Sequence, residues 1–128
     1  MAERRVGFSW HTVKGITTIR LDTSLSASAL DRESAVEKLN EIVNQSQKKV
    51  ILDMDAVEMI DSRMLAAIVS INRKLHSDGG QLRLCRVTPL VRNMLDTFGL
   101  LKVLHLDETE KEATNALNEL GDGSTLAS

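Results

Sequence analysis

Val50-Ile51-Leu52-Asp53-Met54-Asp55-Ala56-Val57-Glu58-Met59-Ile60-Asp61-Ser62-Arg63-Met64-Leu65 joins a strand to a helix and sets the architecture around it. It opens on an apolar run, crosses a short acidic loop and ends where a helix begins. Val50 to Leu52 suits a buried strand, while Met64, Ile68, Ile71 and Leu75 recur at i, i+4, i+7 and i+11 on one helical face. Ser62 is therefore expected at or near the N-cap, where a serine is worth about 1 kcal/mol over alanine. A phosphate on its hydroxyl would meet backbone N–H groups and the positive end of the helix dipole, so the position suits a phosphorylation switch.

Upstream, Val6 to Val13 and Ile16 to Leu21 are β-rich, and Lys14-Gly15 between them predicts a two-residue hairpin with antiparallel strands. Thr23 to Ser28 is a serine-rich connection. Ala35, Val36, Leu39, Ile42 and Val43 then form an apolar stripe on a helix from about Ala29 to Gln45, followed by a third strand, Lys49 to Met54. Downstream, Ser62 to Leu75 is the second helix, and Asp78-Gly79-Gly80 turns into a fourth strand, Gln81 to Cys85.

Thr88 caps the next helix with Pro89 at its first position; Val91, Met94, Leu95 and Phe98 share a face, and Gly99 closes it. Val103 to Leu106 is expected as a short edge strand, and Thr109 with Glu112 makes a capping box for a last helix carrying Ala113, Ala116, Leu117 and Leu120. The expected architecture is α/β: a mixed four- to five-stranded sheet with right-handed crossovers and about four helices on one face. Residues 1–120 make a single domain in this reading, and 121–128 a disordered tail. Open α/β sheets place functional sites at the carboxyl ends of parallel strands, which is where Ser62 falls.

The composition narrows the function classes. With 128 residues, 42% apolar and 27% charged, the chain can bury a core of its own. A formal net charge of −2 and three aromatic side chains, Phe8, Trp10 and Phe98, disfavour nucleic-acid binding. Cys85 is the only cysteine, which excludes an intrachain disulfide and fits a reducing compartment. Met1 to Arg5 leads into an alternating strand and not an apolar h-region, and no apolar run approaches the ~20 residues of a membrane span. A cytoplasmic protein, monomeric or weakly dimeric, is expected.

These residues resemble the STAS domains, among them the bacterial anti-sigma factor antagonists, over about residues 6 to 120. Ile60-Asp61-Ser62-Arg63-Met64-Leu65 matches the Asp, the first Ser and the Leu of the family's Asp-Ser-Ser/Thr-Gly-Leu segment. The family's Gly-Gly turn, hydrophobic strand, Ser/Thr-Pro helix start and closing Gly-Leu have counterparts in Gly79-Gly80, Leu82 to Cys85, Thr88-Pro89 and Gly99-Leu100. The resemblance implies a STAS-like sheet and partner switching. The unphosphorylated protein would bind an anti-sigma factor that is also a serine kinase, phosphorylation of Ser62 would release it, and a PP2C-like phosphatase would reset the switch. It also implies a partner-binding surface at Asp61, Ser62, Arg63 and Met64, with Ser24 and Ser26 on the loop after the second strand.

Two positions depart from the family pattern. Arg63-Met64 stands where Ser/Thr-Gly is usual, and Thr23-Ser24-Leu25-Ser26 stands where Gly-Glu-Leu-Asp is common. Met64 could be a core residue or a soft contact. The departures leave an alternative, a STAS adaptor subunit of a transporter or signalling scaffold that is never phosphorylated.

Other chemistry finds little support. His11, His76, His105 and Cys85 fall at no metal-ligand spacing, and no glycine-rich phosphate loop is present, so neither a metal nor another cofactor is expected. Asp53, Asp55, Glu58 and Asp61 read as a solvated acidic loop. A serine nucleophile at Ser62 would need a histidine base and a Gly-x-Ser-x-Gly elbow, and neither is near it in sequence. The chain is therefore expected to be a substrate and binding partner, not an enzyme.

Overall fold

Apolar runs broken by glycine turns and capped helices build one sheet with helices on both sides. The computed structural model describes residues 3–5, 8–21 and 29–120. The strands are β1 (Glu3–Arg5), β2 (Phe8–Val13), β3 (Ile16–Leu21), β4 (Lys49–Asp53), β5 (Gln81–Cys85) and β6 (His105–Asp107). The helices are α1 (Ala29–Asn44), α2 (Ser62–Ser77), α3 (Pro89–Thr97) and α4 (Glu110–Glu119), with a 3-10 turn at Leu100–Lys102. The proposed tail and the serine-rich connection, with Ser24 and Ser26, lie outside the described residues.

The strands lie side by side in chain order, β1 to β3 antiparallel and β3 to β6 parallel. The β2–β3 hairpin turns on Lys14 at φ 52° and Gly15 at φ 83°, the pair of positive angles that a type I′ turn requires. The sheet is mixed, as expected, and has six strands. The addition is β1, a short charged strand on the antiparallel edge.

Right-handed crossovers that keep moving in one direction along a sheet put their helices on one face. Accordingly α1, α2 and α3 cover the face that carries Ile19, Leu52, Leu82 and Leu84, all buried with Leu39, Ile68, Ile71, Leu75 and Leu95. The last helix differs from expectation. Because α4 follows the final strand and crosses to no other, nothing confines it to that face, and it packs on the opposite one. There Ala113 and Leu117 bury Ile16, Ile51 and Cys85. Ile51 alternates with Val50 and Leu52, so the unbroken apolar run of β4 serves both faces.

Candidate functional site

The four parallel strands end on the same edge of the sheet, and there β4 hands over to the segment 54–61. Met54, Val57 and Ile60 are buried and anchor that segment, leaving Met59 exposed. Backbone bonds complete the anchoring: Met54 N–H donates to Cys85 O at 2.9 Å and Val57 N–H to Met54 O at 3.0 Å. Thr88, the cap of α3, donates its hydroxyl to Val57 O at 3.3 Å, which joins the start of α3 to the same loop.

Helix α2 begins at Ser62, as the spacing predicts, and the residue before it supplies the cap. Asp61 is the N-cap, in extended conformation, and its Oδ1 accepts the Met64 N–H at 2.8 Å. Ser62 is then the first helical residue, and both it and Arg63 are exposed. The carboxylate takes the cap because its oxygen reaches the third N–H of the helix while Ser62 turns outward. Met64 is 5% exposed and belongs to the core, so it is no contact surface, as the helical periodicity of Met64 and Ile68 favours. The expected surface thus reduces, among the described residues, to Asp61, Ser62 and Arg63.

The acidic loop is also not uniformly solvated. Asp53 is 3% exposed and is clamped by two arginines. Arg86 donates from Nη2 at 2.6 Å and from Nε at 3.1 Å, and Arg20 donates from Nη1 at 3.2 Å. The Asp55 N–H closes the cluster on Asp53 Oδ1 at 3.1 Å. Hydrogen bonding to Asp53 raises the Arg86 pKa above its already high ordinary value. Arg20 lies in β3, Asp53 ends β4 and Arg86 follows β5, so one buried carboxylate ties three strand ends together beneath the site. Arg86 holds φ at 55°, a left-handed conformation unfavourable for a side-chain residue, which the paired carboxylate helps sustain. Sequence reasoning missed both arginines. The available signal was Asp53 itself, an acid at the end of a strand buried on both faces.

Beside Ser62 runs a depression of about 350 Å³ between α2 and the end of α3. Its floor and wall are Leu65, Ala66, Val69, Phe98 and Leu100, with Ser62 at one end and Arg73 toward the other. Phe98 is 61% exposed, although its spacing placed it on the core face of α3. The helix stops at Thr97 and the chain reverses through Gly99 at φ 72°, which turns Phe98 out of the core. Among the described residues no group of three or more His, Cys, Asp or Glu could hold a metal ion. No described helix is long and apolar enough to cross a membrane.

The geometry has counterparts in known proteins, and a model of the STAS domain matches residues 9–113. The chain belongs to the STAS domain family. A STAS relative from Paenibacillus polymyxa, described as an anti-sigma F factor antagonist, is 27% identical over 108 residues, covering 84% of this chain and 88% of its own. The structure of the anti-sigma factor antagonist SpoIIAA in its unphosphorylated form superposes with a TM-score of 0.71 at 22% identity, over 88% of this chain and 96% of that one. The Bacillus SpoIIAA in its phosphorylated form gives 0.61 at 19% identity, over 85% and 97%. At those identities the two structures establish a shared STAS fold.

Proposed function

We propose that this STAS domain is an anti-sigma factor antagonist that works by partner switching at Ser62. The observation that carries the reading is an exposed serine on the first turn of α2, beside an apolar depression and at the carboxyl end of the parallel strands. The description of the Paenibacillus relative and the existence of SpoIIAA in both unphosphorylated and phosphorylated forms support it.

The unphosphorylated protein binds an anti-sigma factor with serine kinase activity and so frees the sigma factor. Transfer of the ATP γ-phosphoryl group to the Ser62 hydroxyl, with ADP leaving and the hydroxyl proton lost, then places about −1.5 to −2 charges beside the Asp61 carboxylate. The helix N-terminus stabilises that dianion within the protein, while an apolar or acidic partner surface meets repulsion and a desolvation cost. A PP2C-like phosphatase restores the hydroxyl. In this cycle the antagonist is bound and modified; it performs no catalysis, and its place is the cytoplasm.

Pull-downs from the native organism with wild type, Ser62→Ala and Ser62→Asp test the reading. The expected result is an anti-sigma factor with kinase sequence features retained by the alanine form and lost by the aspartate form. Equal retention by all three forms would overturn it.

A further inference from the structure

The apolar depression beside Ser62 does not end at the helix start. It continues into a second depression of about 300 Å³ lined by Asn72, His76, Val103 and His105, and Val69 and Arg73 line both. From Ser62 to His76 the track follows α2 for about 21 Å at ~1.5 Å per residue. Its chemistry changes along the way. Near Ser62 the lining is Leu65, Ala66, Val69 and the exposed ring of Phe98; farther along it becomes basic through Arg73, with His76 and His105 beyond. Among the described residues no carboxylate lines either half.

We infer that this track receives an amphipathic helix of the anti-sigma factor, its apolar stripe over Ala66, Val69 and Phe98 and an acidic side chain against Arg73. The inference rests on the partner-switch reading and adds the form and charge of the partner segment. A helix is the segment that fits. The backbone of α2 is satisfied within the helix and offers no ladder to an extended strand, whereas a second helix buries an apolar stripe with its own backbone already paired. About 21 Å is roughly four turns, the length of an ordinary globular helix. Arg73, beyond the apolar half of the track, and the missing carboxylates fix the charge of the visitor and its direction, with the acidic residue distal to Ser62. One helix would then read both the state of Ser62 and the identity of the track, so that phosphorylation displaces one end of a segment anchored at the other.

The test uses the full chain and the partner retrieved by Ser62→Ala, with affinities measured by calorimetry. Arg73→Glu and Phe98→Ala change exposed side chains, so the fold is expected to persist, which circular dichroism checks. Each is expected to weaken binding about tenfold or more, while Arg92→Glu, on exposed α3 surface outside the track, leaves it unchanged. Reversing the matching acid of the partner to arginine is expected to restore affinity for Arg73→Glu.

Wild-type affinity in both track variants, with Ser62→Asp still inactive, would overturn the inference and leave the switch standing. Retrieval of no Ser62-sensitive partner would overturn both. Concentration-dependent dimerisation abolished by Phe98→Ala would assign the track to a second copy of the chain, and tighter partner binding on removal of residues 121–128 would assign it to the chain's own tail. Either result would contradict the inference.

Discussion

Replacing Gly80 with alanine drives a new Cβ into the backbone of a neighbouring strand entry. The added atom would overlap the Lys48 carbonyl oxygen and lie 2.6 Å from Lys48 Cβ and 2.8 Å from its carbonyl carbon. That same oxygen accepts the Gln81 N–H at 2.9 Å, at the head of the Lys49–Gln81 register. Relief therefore requires β4 and β5 to part where their pairing begins. Overpacking against side chains costs ~1–3 kcal/mol; against backbone that cannot rotate away, about 3 kcal/mol or more is expected.

Gly79 next to it is the control. Nothing lies within 4 Å of a Cβ there, but φ is +85°. Its alanine cost is ~1–2 kcal/mol for the left-handed conformation, offset in part by ~0.4–1 kcal/mol from a less free unfolded chain. At about 4 °C per kcal/mol for a domain of this size, Tm is expected to fall by about 12 °C for Gly80→Ala and about 4 °C for Gly79→Ala. Urea unfolding followed by circular dichroism, with equal m-values, measures the two differences. A Gly79→Ala cost equal to or above that of Gly80→Ala would refute the close approach at Lys48.

Three further predictions concern the strand ends. Arg86→Ala removes both of the cation's hydrogen bonds to buried Asp53 and is expected to cost about 2 kcal/mol, after discounting for the exposure of the guanidinium; Arg20→Ala, which removes a single longer bond, is expected to cost about 1 kcal/mol, and the reverse order in urea unfolding would contradict the clamp. Burial, with the Asp53 charge adding to it, pushes the Cys85 thiol from 9.0 up to about 12. The folded protein is therefore expected to resist thiol reagents at about pH 8 and to react as it unfolds; fast labelling of the folded form would contradict this. Since the neutral thiol is favoured in the folded state, its contribution to stability is complete below pH 9.0 and is lost as pH rises toward about 12. The loss of urea midpoint across that window is expected to be smaller in Cys85→Ala.

Much of the site was legible because its parts carry local signals. The apolar run of β4 is continuous in the chain, and the periodicity of α2, the Thr88-Pro89 start and Gly99 end of α3, and the Thr109 cap of α4 each mark backbone groups satisfied within a few residues. What escaped was set by longer-range choices. The spacing of Ala113 and Leu117 announces an apolar stripe but not which sheet face receives it, although the non-alternating Val50-Ile51-Leu52 run already required cover on both. The last strand begins at His105, not Val103, because the 3-10 turn at Leu100–Lys102 consumes the preceding residues. β1 is three residues, Glu3 to Arg5, with no apolar alternation to mark it.

The site divides in the same way. Ser62 and Asp61 follow from adjacent residues: the helix starts at Ser62 as expected, and the capping side chain is that of Asp61, one residue earlier. Met64 went to the core, where its helical register with Ile68 puts it. The Arg20–Asp53–Arg86 cluster joins residues far apart in sequence and becomes visible only when parallel pairing brings three strand ends together. Phe98 shows the converse case, a residue in helical register with Val91 and Leu95 that the chain reversal leaves outside.

Phosphosite mass spectrometry on the protein isolated from its native cells, across growth conditions, tests the switch at Ser62. A phosphate on Ser62 is expected whose occupancy changes with condition and rises when the phosphatase is removed. An unmodified Ser62 in every condition, or a phosphate confined to another serine, would contradict it.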